Sequence, residues 1–321
     1  MGNNFNGLLN VNKEAGFTSN DVVAKLRGIL RQRKIGHTGT LDPDAVGVMV
    51  VCLGGATKLC DVLTEHTKEY IAVCRLGVTT DTQDMSGKVI SSHEVDVDEE
   101  SLHTAVMAFV GEYDQIPPMY SALKVGGKKL YELAREGKEI ERKPRRIKIS
   151  SISILDTSHL LDEHVFTMEI RCSRGTYIRT LCNDIGEKLG CGAAMQHLTR
   201  TAVGSFRLED SLTLTQIEHL RDEEALADHI MSVETVYKDL DRVTVSNEFR
   251  KQLENGNAFG LSNIINENPD DEQDIIEIDK QFEDRISVRA YGEDGVFFGV
   301  YKYDARLERF CTDKFFYNSM D

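Results

Sequence analysis

The stretch Gly36-His37-Thr38-Gly39-Thr40-Leu41-Asp42-Pro43-Asp44-Ala45-Val46-Gly47-Val48 is where this chain declares itself. Three glycines, a proline, a histidine and two acids lie between a basic helix candidate and the apolar run Val48–Leu53. Glycine lets the backbone take positive φ or approach a neighbour closely. Pro43 fixes its own φ and biases Asp42 towards an extended conformation. A carboxylate on a stiff turn, between elements that bury their apolar faces, is held in place as a nucleophile must be. Standing alone, an Asp before Pro is a turn residue bonding its own backbone.

The 321 residues suffice for a sizeable core and two domains. No apolar run approaches the ~18 residues of a membrane span. The N-terminal residues lack the pattern of a secretory signal, and Met1-Gly2 has no Ser or Thr where myristoylation needs one, so a cytoplasmic protein is expected. The seven cysteines are odd in number and form no C-x-x-C pair, which suggests neither a disulfide framework nor a zinc site. A net charge of −15 speaks against a nucleic-acid partner until its distribution is considered. Residues 262–284 hold nine acids against Lys280 alone, a composition that predicts a flexible surface loop. Residues 124–148 hold ten bases against four acids, and attraction to RNA depends on the local field.

Gly7–Asn12 reads as a short strand. Ser19-Asn20-Asp21 offers a helix N-cap, with Val22, Val23, Leu26 and Leu30 at helical spacing behind it. The polar face of that helix, Lys25, Arg27, Arg31, Arg33 and Lys34, leads into Gly36 and is either a solvated face or a phosphate contact. A helix is expected over Thr57–Leu63, a strand over Lys68–Leu76, and a helix over 99–111. Asp81 and Asp84, in LGVTTDTQDMSGKV, read as turn formers. Phe166, Met168, Ile170 and Cys172 alternate as in a strand, and Tyr177, Ile178, Leu181, Ile185 and Leu189 keep helical spacing. Near residue 240 the composition changes, and Glu293-Asp294-Gly295 joins two strand patterns as a hairpin.

GHTGTLDPDAVGV resembles the active-site loop of the TruB-type tRNA pseudouridine synthases, which modify uridine 55 in the T-loop. The strings around Lys68-Glu69-Tyr70, residues 76–89 and CSRGTYIR match the same family. The resemblance implies an α+β fold: a mixed, mainly antiparallel sheet flanked by helices, with a small PUA-like C-terminal β-barrel. It implies a catalytic domain over 1–240, an RNA-clamping insertion at about 124–148, and an RNA-binding domain over 241–321 carrying the acidic insertion 262–284. It makes Asp42 the nucleophile, Arg179 its partner, and Tyr70 the residue stacked on the target base and placed to assist proton removal. Lys13, His37, Gly39 and Leu198 fall to substrate binding. One departure stands out: the family's D-K-P-x-G string is here Asn12-Lys13-Glu14-Ala15-Gly16, which leaves the geometry of that turn open.

The implied reaction converts uridine to pseudouridine in a flipped-out nucleotide. It calls for no cofactor and no metal, and the chain shows no phosphate loop, dinucleotide fingerprint or metal-ligand cluster. Arg179 is expected to lower the Asp42 pKa and fix its rotamer. Attack at C6, attack at C1′ and a glycal route all remain open. The expected partner is the T-stem-loop of tRNA, and the protein is expected to be a monomer. Two other readings stand beside this one: an RNA-binding or tRNA-folding module without chemistry, and a synthase acting on ribosomal RNA.

Overall fold

The computed structural model describes residues 5–265 and 286–317. The acidic stretch therefore lies outside the described residues from 266 to 284. In the first half of the chain β1 (Gly7–Lys13), α1 (Ser19–Leu30), β2 (Ile35–His37), β3 (Val46–Leu53), α2 (Cys60–Thr64) and β4 (Lys68–Leu76) come first. A hairpin of β5 (Val78–Thr80) and β6 (Val89–Ser92), α3 (Glu99–Met107) and β7 (Gly111–Gln115) follow. The basic segment forms β8 (Lys124–Val125), β9 (Lys128–Lys129) and α4 (Leu130–Arg135). Next come β10 (Arg145–Asp156), β11 (Val165–Cys172), α5 (Ile178–Leu189), β12 (Ala193–Val203), β13 (Phe206–Arg207), α6 (Leu214–Asp222) and β14 (Ile230–Met231).

These strands build one ten-stranded sheet in the order β14-β1-β3-β12-β4-β11-β10-β7, with β2 on β3 and β13 on β12. Within this sheet the described pairings are antiparallel except β3 with β12. The mixed, mainly antiparallel architecture is thus the one the sequence suggested. Period-two alternation sorts the side chains. From β1 and β3, Leu9, Val11, Met49, Val51 and Leu53 pack against Val22, Val23, Leu26 and Leu30 of α1 and Ile217 of α6. Leu8, Val48, Val50 and Cys52 face the other way, onto Ala56, Leu59 and Leu63. The strands β4 and β11 pack on α5 and α3 in the largest cluster.

The last part of the chain, β15 (Asp241–Val245), α7 (Arg250–Glu254), β16 (Phe259–Gly260), β17 (Ile264–Ile265), β18 (Ser287–Gly292), β19 (Phe297–Asp304) and β20 (Arg309–Phe315), forms a nearly closed six-stranded barrel. Its centre is aromatic: Phe259, Phe298, Tyr301 and Phe310 are each essentially sealed. Phe316 leaves the barrel to join Leu8 and Val50 of the main sheet and Leu59 of the turn after β3, and the Lys58 ammonium donates to the Phe315 carbonyl at 2.6 Å.

Three local expectations shift. The N-cap of α1 is Thr18, one residue earlier than expected, because it completes a capping box with Asp21. The helix expected over Thr57–Leu63 splits into a 3-10 turn, Gly54–Leu59, and the short α2, since Gly54 at φ +59° opens it tightly. The helix expected to reach 111 stops at Met107, ahead of Gly111 at φ +112°.

Candidate active site

The segment Thr38–Ala45 connects β2 to β3, and its backbone is tied down along most of its length. Thr38 N–H donates to Val50 O at 3.1 Å, while its carbonyl accepts from the Thr64 hydroxyl at 2.7 Å. The Arg200 guanidinium donates to Gly39 O at 3.2 Å and Thr40 O at 3.5 Å, and from its Nε to Val48 O at 2.6 Å. Ser19 Oγ accepts from Leu41 N–H at 2.9 Å. Lys13 Nζ donates to Pro43 O at 2.8 Å and also to the carbonyls of Ala45 and Glu14. Gly47 lies between β1 and β12, paired with Lys13 on one side and Arg200 on the other. A Cβ there would meet Arg200 O at 2.2 Å, so only glycine allows these strands to close around the loop.

The Asp42 side chain leaves this frame with 38% of its surface exposed. Arg179 approaches it side-on: Nε stands 3.1 Å from Oδ2 and Nη2 donates to Oδ1 at 3.3 Å. The guanidinium is 5% exposed and its other bonds are taken by Thr82 O at 3.2 Å, Tyr120 O at 2.9 Å and Asp84 Oδ2 at 3.3 Å. A planar fork with each nitrogen occupied can hold a carboxylate in one rotamer. Burial nevertheless pushes the Asp42 carboxyl above its ordinary value. Arg179 pulls it down, the charge of Asp84 pushes it up, and burial is the largest influence. Arg179 thus lowers the Asp42 pKa as expected, but desolvation by the surrounding chain outweighs that one partner and the net direction is upward.

Tyr70 sits on β4, 8% exposed, opposite Arg200 of β12. Burial raises its pKa, and the neighbouring Arg200 only partly opposes that. Leu198, also 8% exposed, shares a cluster with Tyr70, Leu41, Ala45 and Ile178. His37 is partly buried, and burial together with Arg200 pushes its imidazole pKa below the ordinary histidine value. Gly39 presents its carbonyl to Arg200. Lys13, expected at the substrate, is fully buried with its ammonium aimed at loop carbonyls, and burial pushes its pKa down to about 8. In this geometry it holds the loop.

Two residues gain parts that sequence reading did not assign them. Asp84 does form a turn, accepting from Thr82 Oγ1 at 2.7 Å and Ser86 N–H at 3.0 Å through Oδ1. Its other oxygen pairs with Arg179, which brings it into the cluster around Asp42. Arg200 stands in the HLTRT string beside Leu198, but nothing in the linear pattern says that its guanidinium is buried against residues 39, 40 and 48. The signal would have been a cation inside an otherwise strand-like run, which needs partners when buried.

Residues 27–178 match the model of the TruB family pseudouridylate synthase N-terminal domain, and residues 179–238 that of the tRNA pseudouridylate synthase B C-terminal domain. Asp42 and Tyr70 fall in the first match, Arg179 and Leu198 in the second. A relative named tRNA pseudouridine synthase B from Lachnoclostridium phytofermentans is 48% identical over 97% of this chain and 99% of its own length. One of the same name from Alkaliphilus oremlandii is 42% identical over 86% of this chain and 91% of its own. Among solved structures, a Cbf5-Nop10-Gar1 complex covers 97% of this chain and 85% of the matched chain, with a TM-score of 0.68 at 24% identity, which supports the fold. Two consecutive family models and near-full-length relatives establish that this chain belongs to the TruB family of pseudouridylate synthases.

Proposed function

We propose that this protein isomerises uridine to pseudouridine in tRNA, at position 55 of the T-loop, with Asp42 as nucleophile and no cofactor. The observation that carries the reading is the bidentate contact between the half-open Asp42 and the buried Arg179. The tRNA substrate comes from the names of the relatives, and position 55 from the loop motif.

The reaction balances without a redox partner. The N1–C1′ bond breaks, a C5–C1′ bond forms, C5 gives up a proton and N1 gains one. A carboxylate engages the flipped nucleotide covalently or stabilises the sugar as the base leaves, and a fixed rotamer supplies the orientation. Tyr70 is the residue stacked against the base and placed to assist removal of the C5 proton, and burial raises its pKa. Leu198 lines the apolar side, and His37 contacts the RNA beside the loop. Lys13 and Gly39 act on the substrate through the loop they shape. Residues 1–240 carry the chemistry. The basic stretch 124–148 and the C-terminal domain, residues 241–321, hold the RNA. The protein works as a monomer in the cytoplasm.

The test is to incubate an unmodified tRNA transcript with the purified protein and a chelator, nothing else added, and map pseudouridine. A single new pseudouridine at position 55 is expected. Modification elsewhere would overturn the position, and modification only after a cofactor is supplied would overturn the cofactor-free chemistry.

A further inference from the structure

Arg179 reaches Asp42 from the first turn of α5, so the angle of that turn sets the clamp. The N-cap of α5 is Tyr177, which has no side-chain cap of its own. Gln115, the last residue of β7, is 1% exposed and fastens both backbone groups of Tyr177. Its Oε1 accepts from Tyr177 N–H at 2.8 Å, and its Nε2 donates to Tyr177 O at 3.0 Å. The same nitrogen meets the Tyr113 hydroxyl at 2.6 Å. An amide side chain that mimics a strand partner in this way replaces a ladder rung between β7 and the helix entry.

Chain direction gives the contact a second effect. Gln115 is followed by Ile116-Pro117-Pro118, and the stiff pair leads to Tyr120, whose carbonyl accepts from Arg179 Nη2 at 2.9 Å. One residue therefore anchors both the strand that delivers the Tyr120 acceptor and the helix that delivers the guanidinium. On the opposite side Thr180 Oγ1 donates to Gln83 Oε1 at 2.8 Å, next to Asp84. The first turn of α5 is thus stapled from two directions, and Gln115 is the staple on the side of the basic segment.

We propose that Gln115 is a positioning residue for the reaction: it acts through Tyr177 and Tyr120 to hold Arg179 in register with Asp42. The proposal rests on the reading of Asp42 as nucleophile. A purely structural glutamine would affect folding and RNA affinity together. A positioning residue changes the chemical step and the titration of Asp42, because a loosened Arg179 pulls that carboxyl down less. The groups facing Asp42 are Arg179 from α5, Asp84 from the turn after β5, Lys13 from β1, Asp44 on its own loop, Tyr70 of β4 and Tyr177 at the entry of α5.

The experiment measures single-turnover pseudouridine formation on an unmodified tRNA transcript, at saturating protein, from pH 5 to 9. Gln115→Met keeps the length and loses the hydrogen bonds. Its plateau rate is expected to fall at least ~10-fold, with the acid limb moved to higher pH and RNA Kd within about twofold of the unaltered protein. A wild-type plateau rate would overturn the proposal, as would a lowered rate with an unmoved limb and equally weakened RNA binding. If the Met variant does not fold, Gln115→Glu, which keeps the acceptor for Tyr177 N–H and loses both donors, is read by the same criteria. Asp42→Asn is run alongside. If it turns over, the nucleophile reading fails; if it is inert while Gln115→Met matches the unaltered protein, only the Gln115 inference fails.

Discussion

Asp42 is held between opposing influences, and burial prevails. With Asp42 as the proposed nucleophile, acting ionised, its raised pKa places the acid limb of the rate above the ordinary Asp value of about 4. A pH–rate profile at saturating RNA checks this, and Arg179→Met is expected to move the limb further up while lowering the plateau at least ~10-fold. The sign for stability follows from the same direction. A carboxyl whose folded pKa is raised leaves stability intact below its unfolded pKa, and stability falls as pH rises from there through the raised folded value. Asp42→Asn removes that cost, so thermal melting at pH 7 is expected no lower than for the unaltered protein, even though turnover is lost. Arg200→Lys keeps the charge but loses the fork that reaches Gly39, Thr40 and Val48 together, and a tenfold or greater loss of rate is expected at little change in RNA affinity. Asp42 and Arg179 were legible because each stands in a string with few alternatives. Asp84, Arg200 and Gln115 were not, because their partners lie 95, between 152 and 161, and 62 residues away and meet them only once the sheet closes.

Elements were legible in proportion to their periodicity. β4 alternates without a break, and its bounds were read correctly at both ends. The ends of α1 and α3 depend on capping geometry, which a spacing pattern does not contain. At α1, Thr18 and Asp21 exchange bonds, and Thr18→Ala is expected to cost about 1 kcal/mol in chemical denaturation. The basic stretch is mostly short pieces, with Lys128 and Lys138 both paired to exposed Glu136. Such surface pairs contribute little and are free to exchange for phosphates. Replacing Lys124, Lys128 and Lys138 by Gln is expected to flatten the dependence of RNA affinity on salt, by ~0.7–0.9 in the log–log slope for each phosphate no longer neutralised. An unchanged slope would remove this stretch from the RNA interface.

Across the whole molecule, net charge is a poor guide, because nine of the acids sit in residues 262–284 and the basic groups gather elsewhere. In its residues the barrel was legible through the composition change near 240 and the hairpin at Glu293-Asp294-Gly295, and its barrel form came from the family resemblance. Its seat on the main sheet, made by Phe316 and Lys58, joins residues far apart in the chain and had no local signal. Phe316, 5% exposed, fills that seat, and Phe316→Ala is expected to cost about 3–5 kcal/mol in stability as measured by chemical denaturation. In the proposed reaction both halves serve to bring one carboxylate to one nucleotide. The most direct measurement is therefore a single-turnover assay of Asp42→Asn on an unmodified tRNA transcript, paired with RNA binding by the same protein. Binding within about twofold of the unaltered chain and no detectable pseudouridine is the predicted result; pseudouridine formed at an undiminished rate would contradict the account.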